Sequence, residues 1–506
     1  MPMLRNCLSG FTFLCAAITA QAQTPLNNVV PHRYLVVYRQ GAQQAQVAAA
    51  RQRMGMATRR NSAGLGIDAF ALASDADVRS LARDPDVEFV LQDRVVRASR
   101  IQTENLPIDK HPLGHGAANP PGWRNLPVAG NSTADSDYSS PQGWAVAQVG
   151  AYGAGYLGQT SYGPWNLTMG AGIRIAVLDS GVDQQHPDIA PNIALNLTEI
   201  DQTAQPSPCD DGSPQDQQGH GTFSASLAAG AYGANTGLTV GVAPQAQILN
   251  IKVLQRTPDA ALQCANGQAS GLLSWTIQGI QDAIDNHANV IVMPFGTMVD
   301  LYTGDGAGLK TMYDRVTHAA AQAGIVLVAS AGNDGFDFSN PRYLELPAQA
   351  RDVLAVVAST NPACAENTAK GATCQAGPVS LAYYSNRGTP LNAVAAPGGS
   401  YPAGSDTGVT GWVRAACSNG KPFTSDGAPS VAQHSFGCFN LGHQQYVRAM
   451  GTSASAPLAA GVAALVMAAH PGWSAATVVN TLRNTAISSA TMPYGVVNAA
   501  AALGIH

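Results

Sequence analysis

From residue 141 onward, short apolar runs rich in β-branched residues alternate with longer, alanine-rich stretches. Strands that are apolar at nearly every position, separated by helices, are typical of a parallel sheet that is covered on both faces. The alternation therefore predicts an α/β fold with a doubly wound, mostly parallel sheet and helices on both of its faces. The predicted strands are 173–178, 248–254, 290–293, 325–329 and 353–358, and the predicted helices are 219–231, 272–286, 308–323, 453–470 and 474–485.

The size and composition of the chain exclude several classes of protein. Its 506 residues allow roughly two or three domains, or one large domain with a small companion. Hydrophobic residues make up 45% of the chain, which excludes a disordered protein. Charged residues make up only 12% and the net charge is −5, so we expect no nucleic-acid partner.

The first 22 residues have the pattern of a secretory signal peptide. Arg5 precedes a mostly apolar run at 7–20, and an A-x-A cleavage site ends at Ala22. A membrane anchor is the alternative, but the run is shorter than the roughly 20 residues that span a bilayer. The next candidate, 456–469, is also too short and is predicted to be a core helix. We therefore expect an exported protein with no membrane span after signal removal, either secreted or held in a periplasm.

The cysteines support an oxidising compartment. Of the eight, two lie in the signal segment and six remain, an even number that predicts three disulfides in an exported chain. A zinc site is the alternative, but no CxxC or HExxH spacing is present. Six cysteines allow 15 connectivities, of which we prefer pairing between neighbours in sequence. The preferred pairs are Cys209 with Cys264, Cys364 with Cys374, and Cys417 with Cys438.

The chain divides into parts of opposite charge. Residues 23–100 contain 11 arginines against seven acidic residues, whereas residues 101–506 contain 15 basic and 25 acidic residues. Opposite net charges of +4 and −10 predict that the two parts dock.

Residues 23–100 form a small α+β module in this interpretation, and 141–506 form the main domain. The module has strand-like segments at 34–38 and 84–96 and a helix-like segment at 44–53. Between module and domain, the segment 101–140 is rich in Pro, Gly, Asn and Ser, which is typical of an exposed, cleavable linker.

Four polar residues lie at turns next to the predicted strands and helices: Asp179, His220, Asn333 and Ser453. Each by itself fits a plain turn former or helix cap. Together they contain the groups that acyl transfer requires. A hydroxyl becomes a nucleophile when an imidazole takes its proton, and a carboxylate keeps that imidazole in the right tautomer. The chain order Asp, His, Ser on an α/β sheet is one known solution.

The sequence resembles the subtilases, the subtilisin-like serine proteases. The resemblance is carried by IAVLDSGV around Asp179, GHGT around His220, SAGN around Asn333 and GTSASAP around Ser453. Residues 23–100 resemble the N-terminal inhibitor propeptide of that family, through YLVVY and DPDVEFVLQD.

This resemblance implies a subtilisin-like fold and a secreted serine endopeptidase, made as an autoprocessed preproenzyme, that cleaves protein or peptide substrates through an acyl-enzyme. Its own propeptide would be an intramolecular inhibitor, and no catalytic cofactor would be needed. Ser453 would be the nucleophile, His220 the general base and then acid, and Asp179 the group that orients His220. The side-chain amide of Asn333 would stabilise the oxyanion.

Several positions depart from the family pattern. Phe223 stands where many relatives have a second His. The strand VIVMPFG, which ends at Gly296, stands where the family binds the substrate backbone, and Pro294 lacks an N–H there. These changes leave a non-catalytic exported binding protein as the alternative. A serine esterase does not fit, because Ser453 lies in GTSAS and not in GxSxG.

The acidic cluster CDDGSPQD contains Asp210, Asp211 and Asp216. Carboxylate oxygens are calcium ligands, and secreted relatives often bind structural calcium. The sequence leaves two interpretations open, a structural calcium site and a solvated acidic loop.

Overall fold

The computed structural model describes residues 29–99 and 143–505, except 40, 42–48, 50–51, 53–59, 63, 72–73, 153–162, 234–235, 361–378, 389–390, 401–411, 421–436, 489 and 491. The predicted signal peptide and the whole predicted linker 101–140 lie outside these residues, as does most of the predicted helix 44–53.

In the described residues, the strands in chain order are β1 (Val29–Tyr38), β2 (Arg60–Ser62), β3 (Ile67–Ala71), β4 (Val87–Ala98), β5 (Arg174–Asp179), β6 (Ile193–Thr198), β7 (Gln247–Lys252), β8 (Gln255–Thr257), β9 (Gln268–Leu272), β10 (Val290–Met293), β11 (Phe295–Asp300), β12 (Val326–Ser330), β13 (Tyr343–Leu346), β14 (Val353–Thr360), β15 (Ser380–Leu381), β16 (Ala393–Pro397), β17 (Val413–Ala416) and β18 (Tyr446–Ala449). The helices are α1 (Asp75–Leu81), α2 (Trp144–Gln148), α3 (Pro164–Leu167), α4 (His220–Ala229), α5 (Leu273–Asp285), α6 (Gly304–Gln322), α7 (Thr452–Ala469), α8 (Ala475–Asn484) and α9 (Ala499–Ala502).

The main domain is built on a mostly parallel sheet. Its strands lie in the order β15-β14-β12-β10-β5-β7-β6, with β16 also paired to β14. All of these pairings are parallel except that of β14 with β15. The chain leaves β5 toward β6 and β7, then crosses to β10 on the other side of β5. Ligands bind at such reversals, beyond the carboxyl ends of the strands.

Alternate residues of each strand enter two different apolar cores. In β5, Ile175 and Val177 pack toward α4 and α7, while Ala176 and Leu178 pack toward α5 and α6. Both sets of side chains are at most 1% exposed. Burial on both faces explains why the strands are apolar at nearly every position. The predicted α/β fold with helices on both faces is confirmed.

The N-terminal residues form a second, antiparallel sheet. Strand β1 pairs with β3 on one side and β4 on the other. One face holds a small core that includes Val36, Phe70 and Leu81. The other face packs on α5 and α6 and joins their apolar cluster through Leu35 and Val37. The strands predicted at 34–38 and 84–96 correspond to β1 and β4.

The C-terminal end of β4 runs between two strands of the main domain. Residues Val95 to Arg97 pair antiparallel with β9, and Arg97 and Ala98 pair antiparallel with β11. The segment that ends the N-terminal unit is therefore the middle strand of a sheet completed by the main domain.

Helix α7, which begins with Thr452, is the core helix predicted at 453–470. Within the described residues it is the one helix long and apolar enough to cross a membrane, but 83% of it is buried inside the protein. Burial on all sides accounts for its apolar composition.

Candidate active site

Asp179 and His220 are joined by hydrogen bonds at the centre of the main domain. Asp179 is the last residue of β5 and His220 the first residue of α4. The Nδ1 atom of His220 lies 2.8 Å from both carboxylate oxygens of Asp179. Both residues are at most 2% exposed. The carboxylate also accepts from Ser180 N (2.7 Å) and from the Ser224 hydroxyl (3.0 Å), so its orientation is held from three sides.

The remaining ring nitrogen of His220 is free. Its Nε2 atom is buried and has no hydrogen-bond partner among the described residues. Because Nδ1 faces the carboxylate, it carries the proton and Nε2 is left as an acceptor in the neutral ring. The imidazole is therefore arranged to take a proton at Nε2.

Ser453 lies in the first turn of α7, which packs beside α4. Its hydroxyl is buried and donates to the carbonyl oxygen of Ser99 at 3.0 Å, with the Pro294 carbonyl oxygen 3.3 Å away. The hydroxyl thus contacts the backbone of the N-terminal unit and makes no hydrogen bond to His220 in this arrangement. A helix N-terminus favours negative charge developing nearby.

Asn333 follows β12 and faces the start of α7. Its Oδ1 accepts from both the backbone N–H and the hydroxyl of Thr452, each at 2.8 Å. Since Oδ1 is held by Thr452, the amide N–H₂ group is directed away from it, and the Asn333 side chain is only 8% exposed. The Asn333 side chain is thus held against Thr452, the residue directly before Ser453.

The last residues of β4 run as an extended strand between β9 and β11 and end at Ser453. Gly296 pairs with Arg97, and the Ser99 N–H donates to the Pro294 carbonyl at 3.1 Å. Gly296 therefore does pair with a peptide backbone, and Pro294 contributes through its carbonyl, which the missing N–H does not affect. The Ser99 carbonyl is thereby placed against Ser453.

Sequence reasoning missed Ser99, Ser224 and Thr452 as parts of this site. Ser99 directly follows β4, so a prediction that extended this strand to its end would have reached it. Ser224 and Thr452 belong to no sequence pattern of their own, because they contact the site only through Asp179 and Asn333.

Residues 170–502 match the profile of peptidase S8, the subtilase family. The chain belongs to the subtilase family. Among curated relatives, an intracellular serine protease of Paenibacillus polymyxa is 34% identical over 197 residues, which cover 38% of this subtilase and 51% of the relative. Subtilisin E of Bacillus subtilis (strain 168) is 30% identical over 319 residues, 63% of this chain and 61% of the relative. The alignments thus span less than two thirds of these relatives.

Solved structures show the same fold at low sequence identity. Fervidolysin from Fervidobacterium pennivorans has a TM-score of 0.60 at 18% identity, covering 95% of this subtilase and 62% of that chain. The epidermin leader peptide processing serine protease from Staphylococcus aureus has a TM-score of 0.61 at 17% identity, covering 94% and 98%. Coverage above 90% extends the match beyond residues 141–506 of this subtilase.

Two carboxylates of the acidic cluster are bonded to protein donors in this subtilase. The Asp210 carboxylate is paired with Lys252 Nζ (2.8 Å), and Asp216 accepts hydrogen bonds from Ser180, Gly219 and other neighbours. Both carboxylates are buried. Among the described residues, no group of three His, Cys, Asp or Glu side chains could hold a metal ion. Protein donors therefore bond to oxygens of Asp210 and Asp216, and the calcium site at Asp210, Asp211 and Asp216 stays a prediction.

Two disulfides lie in the described residues of this subtilase. Cys209 is joined to Cys264, and Cys417 is joined to Cys438. Both are pairs of sequence neighbours, as preferred from the sequence. Cys364 and Cys374 lie outside the described residues.

Proposed function

We propose that the chain is the precursor of a secreted subtilisin-like serine endopeptidase that hydrolyses peptide bonds through an acyl-enzyme. The observation that carries the proposal is the contact of the Ser453 hydroxyl with the Ser99 carbonyl, beside a buried Asp179–His220 pair. Acyl transfer needs a hydroxyl, a base and an orienting carboxylate near one carbonyl group, and the hydroxyl–carbonyl contact together with the imidazole–carboxylate pair supports such a site.

In the first step, Ser453 Oγ forms a bond to the substrate carbonyl carbon while its proton passes to Nε2 of His220. The carbonyl oxygen becomes an oxyanion, which the Asn333 amide and the Ser453 backbone N–H stabilise. The oxyanion then collapses, the C–N bond breaks, and His220 gives its proton to the departing amine. The products are an ester on Ser453 and a free amine.

In the second step, water attacks the ester and gives a proton to His220. The ester C–O bond breaks, a carboxylic acid leaves and the proton returns to Ser453. Asp179 stabilises the imidazolium that forms in both steps, and its contacts with Ser180 and Ser224 hold it in place.

We further propose that the N-terminal unit is an inhibitor in cis that is cleaved between Ser99 and Arg100. Its last strand pairs on both edges as a substrate would, and its final carbonyl lies at the nucleophile. Charge supports the docking, since Arg94 pairs with Asp305 and Glu88 with Arg315 across the contact. After cleavage, the retained strand would block the cleft until it is degraded.

Export is the remaining part of the proposal. The signal-like segment lies outside the described residues, and the two disulfides support an oxidising compartment.

The test is a Ser453→Ala variant expressed beside the wild type and a Ser455→Ala control. Ser455 lies in the same helix turn, is buried, and its hydroxyl has no partner in the described residues. We expect wild type and control to cleave casein, to react with a fluorophosphonate, and to yield a mature chain beginning at Arg100. Ser453→Ala should remain full-length and inactive. Processing or casein cleavage by Ser453→Ala would refute the proposal, and a wild type that never labels would support a non-catalytic protein.

A further inference from the structure

Glu345 is a buried carboxyl group that the proposed mechanism does not use. It lies on β13 and is 5% exposed. Among the described residues, no group donates a hydrogen bond to its carboxyl oxygens and no cation pairs with them, whereas its backbone N–H donates to the Gln349 side chain and its backbone carbonyl accepts from the Gln349 N–H. Burial of a carboxyl without a partner costs free energy, so the position suggests a ligand that supplies one.

The carboxyl lies between two backbone segments of the cleft. Glu345 pairs with Met298 across β11 and β13, which places it diagonal to Gly296 on the same face. A Cβ atom on Gly296 would lie 2.1 Å from Oε1 of Glu345, and one on Gly332 would lie 3.4 Å from its Cδ. The absence of side chains at these two positions leaves the space that the Glu345 carboxyl occupies.

The side chain of Ser99 enters the cleft between the same two segments. Its hydroxyl lies 2.6 Å from the Ser330 hydroxyl, and its N–H donates to Pro294. Gly332 lies two residues after Ser330, and Gly296 lies two residues after Pro294. The Glu345 carboxyl lies beside these two glycines. Glu345 therefore lies beyond the short serine side chain that precedes the proposed cleavage point.

We infer that Glu345 forms the base of the pocket for the residue that precedes the cleaved bond, and that it selects lysine or arginine there. The inference rests on the proposed function. A lysine or arginine side chain extends well past the reach of serine and ends in the cation and hydrogen-bond donors that Glu345 lacks. A carboxylate at the same place disfavours acidic substrate residues.

The electrostatic surroundings support this preference. Burial, together with repulsion from Asp334, raises the pKa of Glu345 well above its usual range. Tyr313 also faces the group. A substrate cation would favour the charged carboxylate, and each partner would compensate the desolvation of the other.

The serine at position 99 is compatible with this pocket. Cleavage within the same chain benefits from a very high effective concentration, so the propeptide does not need side-chain affinity in the pocket. A short residue that leaves Glu345 without a partner would also bind more weakly once the bond is cut.

The experiment compares peptide p-nitroanilides that differ only in the residue before the anilide: Lys, Arg, Met, Gln and Glu. The wild type, Glu345→Gln and a control, Asp259→Asn, are assayed as processed enzymes. Asp259 lies in a surface turn, and its replacement also removes one carboxylate. Ratios of kcat/KM within one preparation are independent of the active fraction.

We expect the Lys/Met ratio to fall by at least about tenfold in Glu345→Gln and to stay unchanged in Asp259→Asn. An unchanged ratio in Glu345→Gln, or faster cleavage of Met than Lys by the wild type, would overturn the inference. If Glu345→Gln does not fold, the wild-type enzyme alone tests the inference. It should cleave the peptide with Glu before the anilide at least about tenfold more slowly than the peptide with Gln. Failure to cleave any peptide, with no fluorophosphonate labelling, would overturn the proposed function itself.

Discussion

Single residues in the cleft differ in whether their polar groups are already bonded. Both carboxylate oxygens of Asp179 accept from His220, and Oδ1 of Asn333 accepts twice from Thr452. By contrast, Nε2 of His220 and the carboxyl of Glu345 have no partners within the described residues. The hydrogen-bonded groups fix the orientation of their side chains, whereas His220 Nε2 and the Glu345 carboxyl can still bind a substrate.

Asn333→Ala should lower kcat by roughly 100- to 1000-fold with a small change in KM, a magnitude known for such a donor in a subtilisin. The reason is that the lost amide would act mainly in the transition state. Thr452→Val is the matched control, because it keeps the Asn333 amide and removes one of the two hydrogen bonds that hold the Asn333 side chain. Its kcat should fall less than that of Asn333→Ala. Steady-state kinetics on a peptide anilide measure both, and a kcat unchanged in Asn333→Ala would exclude this role.

Glu345→Gln should stabilise the protein at high pH more than at low pH. Burial raises the pKa of Glu345 on folding, and the charged or titratable groups near it are Asp334 and Tyr313. As pH rises, the carboxyl therefore loses its proton at a lower pH in the unfolded chain than in the folded protein. Wild-type stability therefore falls as pH rises from about 4.5 to the raised pKa. Thermal unfolding of both chains in a Ser453→Ala background, at pH 4.5 and at pH 8, should show a larger gain in Tm at pH 8. Equal gains would contradict a raised pKa.

At the scale of elements, the position of His220 depends on how the start of α4 is held. Gly219 has a φ of 103°, a left-handed conformation that favours glycine, and a Cβ there would lie 2.8 Å from Cys417 Sγ. Phe439, next to the second cysteine of that pair, donates its N–H to Gln218 and packs edge-on near the His220 ring. The disulfide loop thus supports the helix start.

Replacing Cys417 and Cys438 with serine should lower both stability and kcat. The loop spans 21 residues, so the loss is about 2–4 kcal/mol of unfolding free energy. Because Cys417 contacts Gly219, the kcat per labelled active site should fall as well. The control replaces Cys209 and Cys264, a pair separated by 55 residues, and should cost stability with a smaller effect on kcat. Thermal unfolding and fluorophosphonate-normalised kinetics separate the two effects, and equal kcat losses would refute the positioning role.

At the scale of the molecule, the N-terminal unit and the main domain share one apolar cluster and one sheet. Asp93 of β4 is fully buried in this contact and accepts from the N–H and hydroxyl of Ser274 in the first turn of α5. Arg33 also lies near it, at 3.4 Å. The buried contact contrasts with the partly exposed pair of Arg94 and Asp305.

Asp93→Ala should destabilise the uncleaved precursor by about 2–4 kcal/mol, because it leaves the Ser274 donors and Arg33 buried without a partner. Arg94→Ala removes only the partly exposed pair with Asp305 and should cost less than about 1 kcal/mol. Denaturant unfolding of both variants in the Ser453→Ala precursor measures the difference. Equal losses would show that the buried contact does not dominate the docking.

The sequence by itself determined the α/β fold and the approximate position of each central strand. Strands buried on both faces must be apolar throughout, so 290–293 was predicted with the bounds of β10. The family motifs likewise singled out Asp179, His220, Asn333 and Ser453 as candidate site residues, because each motif is local in sequence. These features depend on short stretches of chain, which a sequence displays directly.

Only the tertiary structure decided how distant groups meet. It placed the Ser99 carbonyl at Ser453, 354 residues away in sequence, and the Glu345 carboxyl beside Gly296. It also paired Asp210 with Lys252, 42 residues away in sequence. The physical reason is that burial and hydrogen-bond partners are properties of the packed chain, and side chains of the same type differ in role according to what packing places next to them.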